Sequence, residues 1–326
     1  MKYWVSFEKR TLGLGEYYIS CDWGTTNFRL SLVATQTLEV MQTIKTDQGI
    51  KTLYDQSPKT GPLDRLGFFV NYLYQQIQKL PLEHQNWLVV ISGMASANIG
   101  MREIEYANIP IRYTGEDLKW NSERLQNGME IILISGVKNK QGMMRGEETQ
   151  AIGLAEKLGH ESGVLILPGT HSKHLSFGDG KFTDLKTFMT GELFEVISKH
   201  SILSNSIDHG DWSQSAREAF QSGVALGCEG KLTASLFSIR ARDVIDHVDK
   251  ADNFYLLSGL LIGDELSYLL KRDDKVFLAA SAQVLALYQQ ALEVLIDADR
   301  VSSVSADDFA RALLIGQKKI LELNEK

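Results

Sequence analysis

Tyr17-Tyr18-Ile19-Ser20-Cys21-Asp22-Trp23-Gly24-Thr25-Thr26-Asn27-Phe28-Arg29-Leu30-Ser31-Leu32-Val33 is the stretch on which the fold turns. Tyr17–Ser20 is apolar and β-prone, Cys21–Asn27 is rich in turn residues, and Phe28–Val33 alternates apolar and polar as a half-buried strand does. Leu38–Ile44 follows as a third β-like stretch. The same layout returns in the second half of the chain. Val164–Leu167 is an apolar strand that enters Pro168-Gly169-Thr170-His171-Ser172-Lys173, His174–Phe177 returns, and a Gly-Asp-Gly turn leads to a third strand at Phe182–Thr187. The likeness is one of layout, not of letters.

Between and after these hairpins, helices alternate with short buried strands. Leu63–Lys79 carries Leu66, Phe69, Val70, Leu73 and Ile77 at helical spacing, and Pro81 ends it. Trp87–Ile91 and Ile131–Ile134 read as buried strands, and Glu147–Leu158 as a helix. Further helices are expected at Ser215–Gly227, Leu232–Arg240, Phe254–Leu270 and Val284–Ile296, with strand-like Val276–Ala279 and Val301–Val304. Ser305 is placed to cap a last helix that has Asp307 and Asp308 in its first turn. Such alternation indicates an α/β layer architecture. The division expected is a lobe over residues 1–140 and a second over 141–326, facing each other across a cleft.

Composition bounds the function. At 326 residues the chain is long enough for about two domains, and 44% hydrophobic with 23% charged residues is an ordinary globular composition. With 34 Lys+Arg against 41 Asp+Glu, a net charge of −7 argues against a non-specific polyanion binder, so no nucleic-acid partner is expected. Two cysteines, Cys21 and Cys228, make no disulfide framework, which points to a reducing compartment. The apolar runs are shorter than the roughly 20 residues that span a bilayer, so no membrane partner is expected and the location read is cytoplasmic.

Three segments carry chemistry. Asp22-Trp23-Gly24-Thr25-Thr26-Asn27 suits phosphate binding: Gly24 permits close approach, and Thr25, Thr26 and turn amides donate to phosphate oxygens. Asp22, at a strand end, suits a hydrated Mg²⁺ on those phosphates. A plain hairpin turn uses the same residues. Gly169, Thr170, His171 and Ser172 stand at the matching point of the second half, and two such turns together grip a polyphosphate. Arg145-Gly146-Glu147-Glu148 opens a helix; its two carboxylates suit the macrodipole, and one of them suits a general base. Arg145 suits a substrate carboxylate or phosphate.

These segments, with Ser92–Gly100 (SGMASANIG), Phe188–Phe194 (FMTGELF) and Leu257–Leu266 (LSGLLIGDEL), occur in an order that resembles the 2-dehydro-3-deoxygalactonokinase family. The resemblance runs from about Tyr17 to the C-terminus. It implies an actin-like ATPase fold of two ribonuclease-H-like lobes, ATP and Mg²⁺ in the cleft between them, and phosphorylation of the 6-hydroxyl of 2-dehydro-3-deoxy-D-galactonate in galactonate breakdown. It makes Asp22, Gly24, Thr25, Thr26 and Asn27 the first phosphate loop, with Asp22 on the metal side. Gly169, Thr170, His171 and Ser172 become the second loop, and Glu147 the base, with Glu148 in reserve. Ser96, Asn98 and Arg145 are the expected substrate contacts. One departure stands out: where the superfamily's adenosine motif carries glycine, this chain has Leu278-Ala279-Ala280-Ser281-Ala282. Residues 1–16 lie outside the resemblance.

Other signals carry less. His171 and His174 fall on opposite faces of a strand, without a third zinc ligand. Gly13-Leu14-Gly15 lacks the rest of a dinucleotide fingerprint, and Gly-x-Ser-x-Gly is absent. Phe69, Tyr72 and Tyr74 read as packing. Thr190 and Glu192 stand where a strand end meets a helix start, within reach of the cleft. The alternatives to a galactonate-pathway kinase are a kinase for another 2-keto-3-deoxy acid or hexose, and a nucleotide-dependent switch on the same fold. A homodimer is compatible with the sequence.

Overall fold

The structure, a computed structural model, describes residues 15–58, 61–81, 88–125, 128–159 and 161–323. Gly13, Leu14 and Trp87 of the readings above lie outside these. Contacts divide the chain into two compact units. The first comprises the described residues within Met1–His160, Gly180–Leu185 and Asp307–Lys326, and the second those within Glu161–Asp179 and Lys186–Ala306.

In the first unit β1 (Tyr17–Trp23), β2 (Phe28–Ala34) and β3 (Val40–Thr46) form an antiparallel meander. Leu38 sits in the turn at φ 57, so the third strand starts two residues later than its apolar pattern suggests. Then come α1 (Ile50–Gln56), α2 (Pro62–Ile77), β4 (Val89–Gly93), β5 (Ala107–Asn108), β6 (Ile111–Arg112), β7 (Trp120–Arg124), β8 (Glu130–Ile134), β9 (Val137–Lys138), β10 (Met143–Met144) and α3 (Glu147–Leu158). The sheet order is β3-β2-β1-β4-β8-β7, with β4 parallel to β1 and β8 parallel to β4. Pro62 opens α2, and Leu66, Phe69, Leu73 and Ile77 bury one stripe of it against Ile19, Cys21, Trp23 and Leu30 of the sheet. Phe69 is core, Tyr74 is exposed, and Tyr72 shares a hydrogen bond of 2.6 Å with the Thr46 hydroxyl.

The second unit repeats the plan. It contains β11 (Gly163–Leu167), β12 (Ser172–Gly178), the end of β13 (Lys181–Phe188), α4 (Thr190–His200), α5 (Gln214–Cys228), α6 (Leu232–Val244), α7 (Lys250–Leu266), β14 (Lys275–Leu278), α8 (Ala282–Leu295) and β15 (Val301–Ser303). Asp179 and Gly180 both have positive φ, at 51° and 72°, the geometry of a tight hairpin turn between β12 and β13. The strand order is β15-β14-β11-β12-β13, with β12 antiparallel to β11 and with β14 and β15 parallel. This is the order β8-β4-β1-β2-β3 of the first unit again. Two units of ribonuclease-H-like strand order in one chain make the actin-like ATPase and sugar-kinase fold class.

The helix α9 (Ala306–Leu323) ends the described chain and belongs to the first unit. The units therefore do not divide at residue 140. α3 packs in the first unit, and α9 returns to it after the whole of the second. The reason lies at two glycines: a Cβ on Gly153 of α3 would collide with the Ala312 carbonyl, and one on Gly316 of α9 with the Thr149 carbonyl. The two helices lie backbone to backbone, and Lys157 meets Asp308 at 3.0 Å beside them. Among the described residues no helix is long and apolar enough to cross a membrane.

Candidate functional site

The first turn grows out of β1. Trp23 is fully buried against Phe28 and Phe69, and its indole N–H donates to the Gln48 carbonyl at 3.1 Å. The Gly24 N–H donates to the Asn27 carbonyl at 2.9 Å and closes the hairpin. The carbonyls of Gly24, Thr25 and Thr26 accept from the amides of Ile50, Lys51 and Gly49 at 3.0–3.1 Å. The start of α1 thus engages the electronegative side of the turn, while Thr25, Thr26 and Asn27 stay exposed. A turn meant for an anion needs its carbonyl lone pairs turned elsewhere. Gly49 makes the approach possible, because a side chain there would strike the Thr25 carbonyl.

Beside this turn stand three carboxylates. Asp22 pairs with Arg29 across β2 and lies in register with Ser92 of β4, as Trp23 does with Gly93. Gly93 and Gly146 both have positive φ, at 97° and 111°, and a Cβ on Gly146 would come within 3.3 Å of the Gly93 Cα. That close pass lays the start of α3 on the end of β4, next to the end of β1. The two carboxylates of α3 fold back onto its own entry. The Arg145 N–H donates to Glu147 Oε2 at 3.0 Å, and the Gly146 N–H to Glu148 Oε2 at 2.7 Å.

Their environments differ. Glu148 is fully buried, and its Oε1 also accepts from the Thr149 hydroxyl at 3.2 Å. Burial, then the neighbouring charge of Glu147, push its carboxyl up to about 8 against the pull of these hydrogen bonds. Glu147 is only half-buried. Asp22 is raised from its ordinary value by burial, lowered by Arg29 and raised again by Glu147. Asp22 and Glu147 therefore sense one another, although they lie on β1 and α3.

Arg145 is committed to the loop after β4. Its Nη1 donates to the Ser96 carbonyl at 2.7 Å and to Ser96 Oγ at 2.6 Å, its Nη2 donates to the Ile104 carbonyl at 3.4 Å, and the guanidinium lies 4.0 Å from the Tyr106 ring centroid. Ser96 is buried, and its hydroxyl donates to the Ile134 carbonyl at 2.6 Å. Ser96, expected to touch substrate, has its hydroxyl bonded to Ile134 and Arg145 in this structure. Asn98, on the same loop, is exposed.

The second turn is held from beneath. Gly169, Thr170 and His171 are exposed, and His171 Nε2 meets Glu192 Oε2 at 2.5 Å. The Glu192 N–H donates to the Thr170 carbonyl at 3.0 Å, and a Cβ on Gly191 would sit 2.6 Å from the Gly169 carbonyl. The start of α4 is therefore pressed onto the turn. Ser172, the last residue of the expected phosphate loop, turns its side chain inward. It is fully buried, and its hydroxyl donates to Glu265 Oε1 at 2.7 Å. His174 Nε2 lies 2.7 Å from the same oxygen, while Thr190 and Tyr288 donate to Oε2, the latter at 2.8 Å. His171 and His174 thus serve different carboxylates.

In each unit, then, the structure brings a turn and a carboxylate together. Asp22, Arg145, Glu147 and Glu148 share the first unit with the turn at Gly24–Asn27. Glu265, which has no role in the sequence reading although it stands in the LSGLLIGDEL block, lies behind the second turn. An acid that interrupts the apolar face of a helix is the signal that marks it. Ala279 and Ala280 are buried between β14 and α8, so their methyl groups are core atoms.

The comparisons with known proteins agree with one another. The family model for 2-keto-3-deoxy-galactonokinase matches residues 22–315. A protein of Rhizobium meliloti (strain 1021), named a probable 2-dehydro-3-deoxygalactonokinase, is 31% identical over 306 residues, covering 91% of this chain and 94% of that one. The 2-dehydro-3-deoxygalactonokinase of Escherichia coli (strain K12) is 28% identical over 288 residues, 85% and 90% of the two chains. A crystal structure of a 2-dehydro-3-deoxygalactonokinase protein from Sinorhizobium meliloti superposes with a TM-score of 0.75 at 30% identity, covering 92% and 94%. The family match spans both units, both turns and all three carboxylates of the first unit, and the chain belongs to the 2-keto-3-deoxy-galactonokinase family of sugar kinases.

Proposed function

We propose that this kinase transfers the γ-phosphoryl group of ATP to the 6-hydroxyl of 2-dehydro-3-deoxy-D-galactonate, with Glu147 as the general base. The observation that carries the assignment of the base is the contrast between adjacent acids. Glu148 is fully buried, both of its oxygens already accept hydrogen bonds, and its carboxyl is pushed up to about 8, so at neutral pH it is mostly protonated. Glu147 is half-buried, beside Asp22, at the mouth of the same helix. A base needs its charge and an open side.

Asp22 is the residue suited to Mg²⁺. Its carboxyl is raised by burial and by Glu147, and a divalent cation offsets both effects. Mg²⁺ keeps most of its water and needs only one or two carboxylates besides phosphate oxygens; when bound it neutralises charge on the transferring phosphates. In the step itself, Glu147 takes the proton of the attacking hydroxyl as the new O–P bond forms and the bond to the leaving β-phosphate oxygen breaks. Gly24, Thr25, Thr26 and Asn27 form the phosphate-orienting turn of the first unit, and Gly169, Thr170 and His171 the corresponding turn of the second. Arg145 and Ser96 hold the loop that presents Asn98 to the sugar acid. Positioning supplies most of the rate, and the base about 10²–10⁴-fold.

The test is a coupled ADP-release assay over 2-keto-3-deoxy acids and hexoses. The expected result is turnover with 2-dehydro-3-deoxy-D-galactonate at a higher kcat/KM than with its epimers. Preference for another acid would move the substrate, and ATP hydrolysis indifferent to every sugar would favour a nucleotide-dependent switch.

A further inference from the structure

One buried carboxylate in the second unit collects four donors from three elements. Glu265, near the end of α7, is 1% exposed. Its Oε1 accepts from Ser172 at the foot of the turn and from His174 of β12, both at 2.7 Å. Its Oε2 accepts from Thr190, the first residue of α4, and from Tyr288 of α8 at 2.8 Å. An ionised carboxylate only accepts, so His174 donates from Nε2, and its Nδ1 lies 2.7 Å from the Tyr268 hydroxyl. Burial alone would raise the Glu265 carboxyl, but the bonds from His174, Thr190 and Ser172 bring it below its ordinary value. It stays charged where it is.

The geometry of this cluster does more than fill a core. Ser172 and Thr190 flank the exposed Gly169–His171 segment in the fold: one ends the turn, and the other opens the helix whose Gly191 and Glu192 rest on it. From the opposite face of β12, the buried Lys173 Nζ donates to the His171 carbonyl at 2.7 Å. The turn itself has no side chain in the core, so its shape is set by these bonds.

We propose that Glu265 is a positioning residue for the nucleotide: through Ser172 and Thr190 it fixes the second turn in the shape that receives phosphate. The proposal rests on the reading of that turn as a phosphate site. Glu265 touches no substrate atom. It acts by holding two segments at one spacing, and removing its charge leaves four donors around one carbonyl and an amide.

Steady-state kinetics in both substrates test this, with Tm measured on each variant. Glu265→Gln is expected to raise the KM for ATP about tenfold or more, and Ser172→Ala and Thr190→Val about three- to tenfold each, with the KM for the sugar acid within about twofold of the parent. The two turn-side variants keep the carboxylate and serve if Glu265→Gln does not fold. Tyr255→Phe removes a half-buried hydrogen bond of 2.9 Å from α7 to Gly210, away from the turn, and should lower Tm with an unchanged KM for ATP. A KM for ATP that merely follows Tm across all four variants would overturn the proposal. So would an unchanged KM in Glu265→Gln, Ser172→Ala and Thr190→Val while Thr170→Ala raises it. If Thr170→Ala is also without effect, the phosphate reading of the turn fails, and the proposal with it.

Discussion

Glu147 and Glu148 are adjacent in sequence and chemically unlike, and substitution separates them. Glu147→Gln should keep ATP affinity within about threefold while kcat falls about 10²–10⁴-fold. Near-normal turnover would place the base elsewhere. Asp22→Ala should raise the Mg²⁺ concentration for half-maximal rate about tenfold, and an unchanged Mg²⁺ profile would reject its metal role. Glu148 speaks instead through stability. Its carboxyl titrates at about 8 in the folded chain, against 4.5 ordinarily. Between those values the folded chain holds a proton that the unfolded chain has released. Stability from this group is therefore intact below about pH 4.5, falls as pH rises, and levels off above about 8. Glu148→Gln removes the titration, so its Tm relative to the parent should climb by about 7–12 °C across that window. A Tm difference flat from pH 5 to 8.5 would show that another group titrates.

The helices α5 and α7 show how a motif first read for resemblance is used for packing. A Cβ on Gly259 or Gly263 of α7 would strike the Phe220 or Val224 carbonyl of α5, and Gly223 and Gly227 of α5 reciprocate against Leu256 and Leu260. Two glycines four apart on each helix let the backbones touch, and Glu265 follows two residues after Gly263. Gly259→Leu should therefore lower stability by more than about 3 kcal/mol, and Gly259→Ala by about 1–3, read as urea midpoints. Equal midpoints for Gly259→Ala and the parent would mean that the helices have room to spare. The strands and helices with strong periodicity were legible in the sequence: β1, β2, β11, α2 and α3 stand close to where their apolar spacing puts them. Those that were not have little apolar signal. α1 buries only Ile50 and Leu53, α4 buries no residue at all, and β9 and β10 are two residues long. α1 and α4 are placed by hydrogen bonds to distant turns, and β9 and β10 by pairing with each other and with β5, none of which leaves a period to read. The inward bonding of the Ser96 and Ser172 hydroxyls was not legible for a related reason. A hydroxyl in a motif looks alike whether it faces a ligand or a buried carbonyl, and only burial tells them apart.

At the scale of the whole molecule, the proposed function asks a chain of net charge −7 to hold two anions, so attraction has to be local: turn amides, hydroxyls and the metal proposed at Asp22. Local arrangement in turn depends on distant sequence, because the first unit is completed only by α9. Tyr18 of β1 donates its hydroxyl to the Leu314 carbonyl at 3.3 Å. The buried Gln317 amide reaches Ser92 Oγ at 3.1 Å and the carbonyls of Val90 and Cys21 at 3.4 and 3.5 Å, beneath the strand ends that carry Asp22 and Gly93. Gly316 lies on α3 two residues past Glu147. One helix therefore underlies both Asp22 and Glu147. A chain ending before Ala306 bares that face of the sheet and leaves Tyr18 and Val90 without cover. It should lose the cooperative unfolding of the first unit, become open to protease between β1 and β4, and show no kinase turnover. Gln317→Leu keeps the apolar contacts of α9 and removes only its amide, so it should fold with Tm lowered by a few degrees, about 3–8 °C, and kcat reduced more than either KM. Full turnover and two intact calorimetric transitions in the truncated chain would show that the first unit is complete without its last helix.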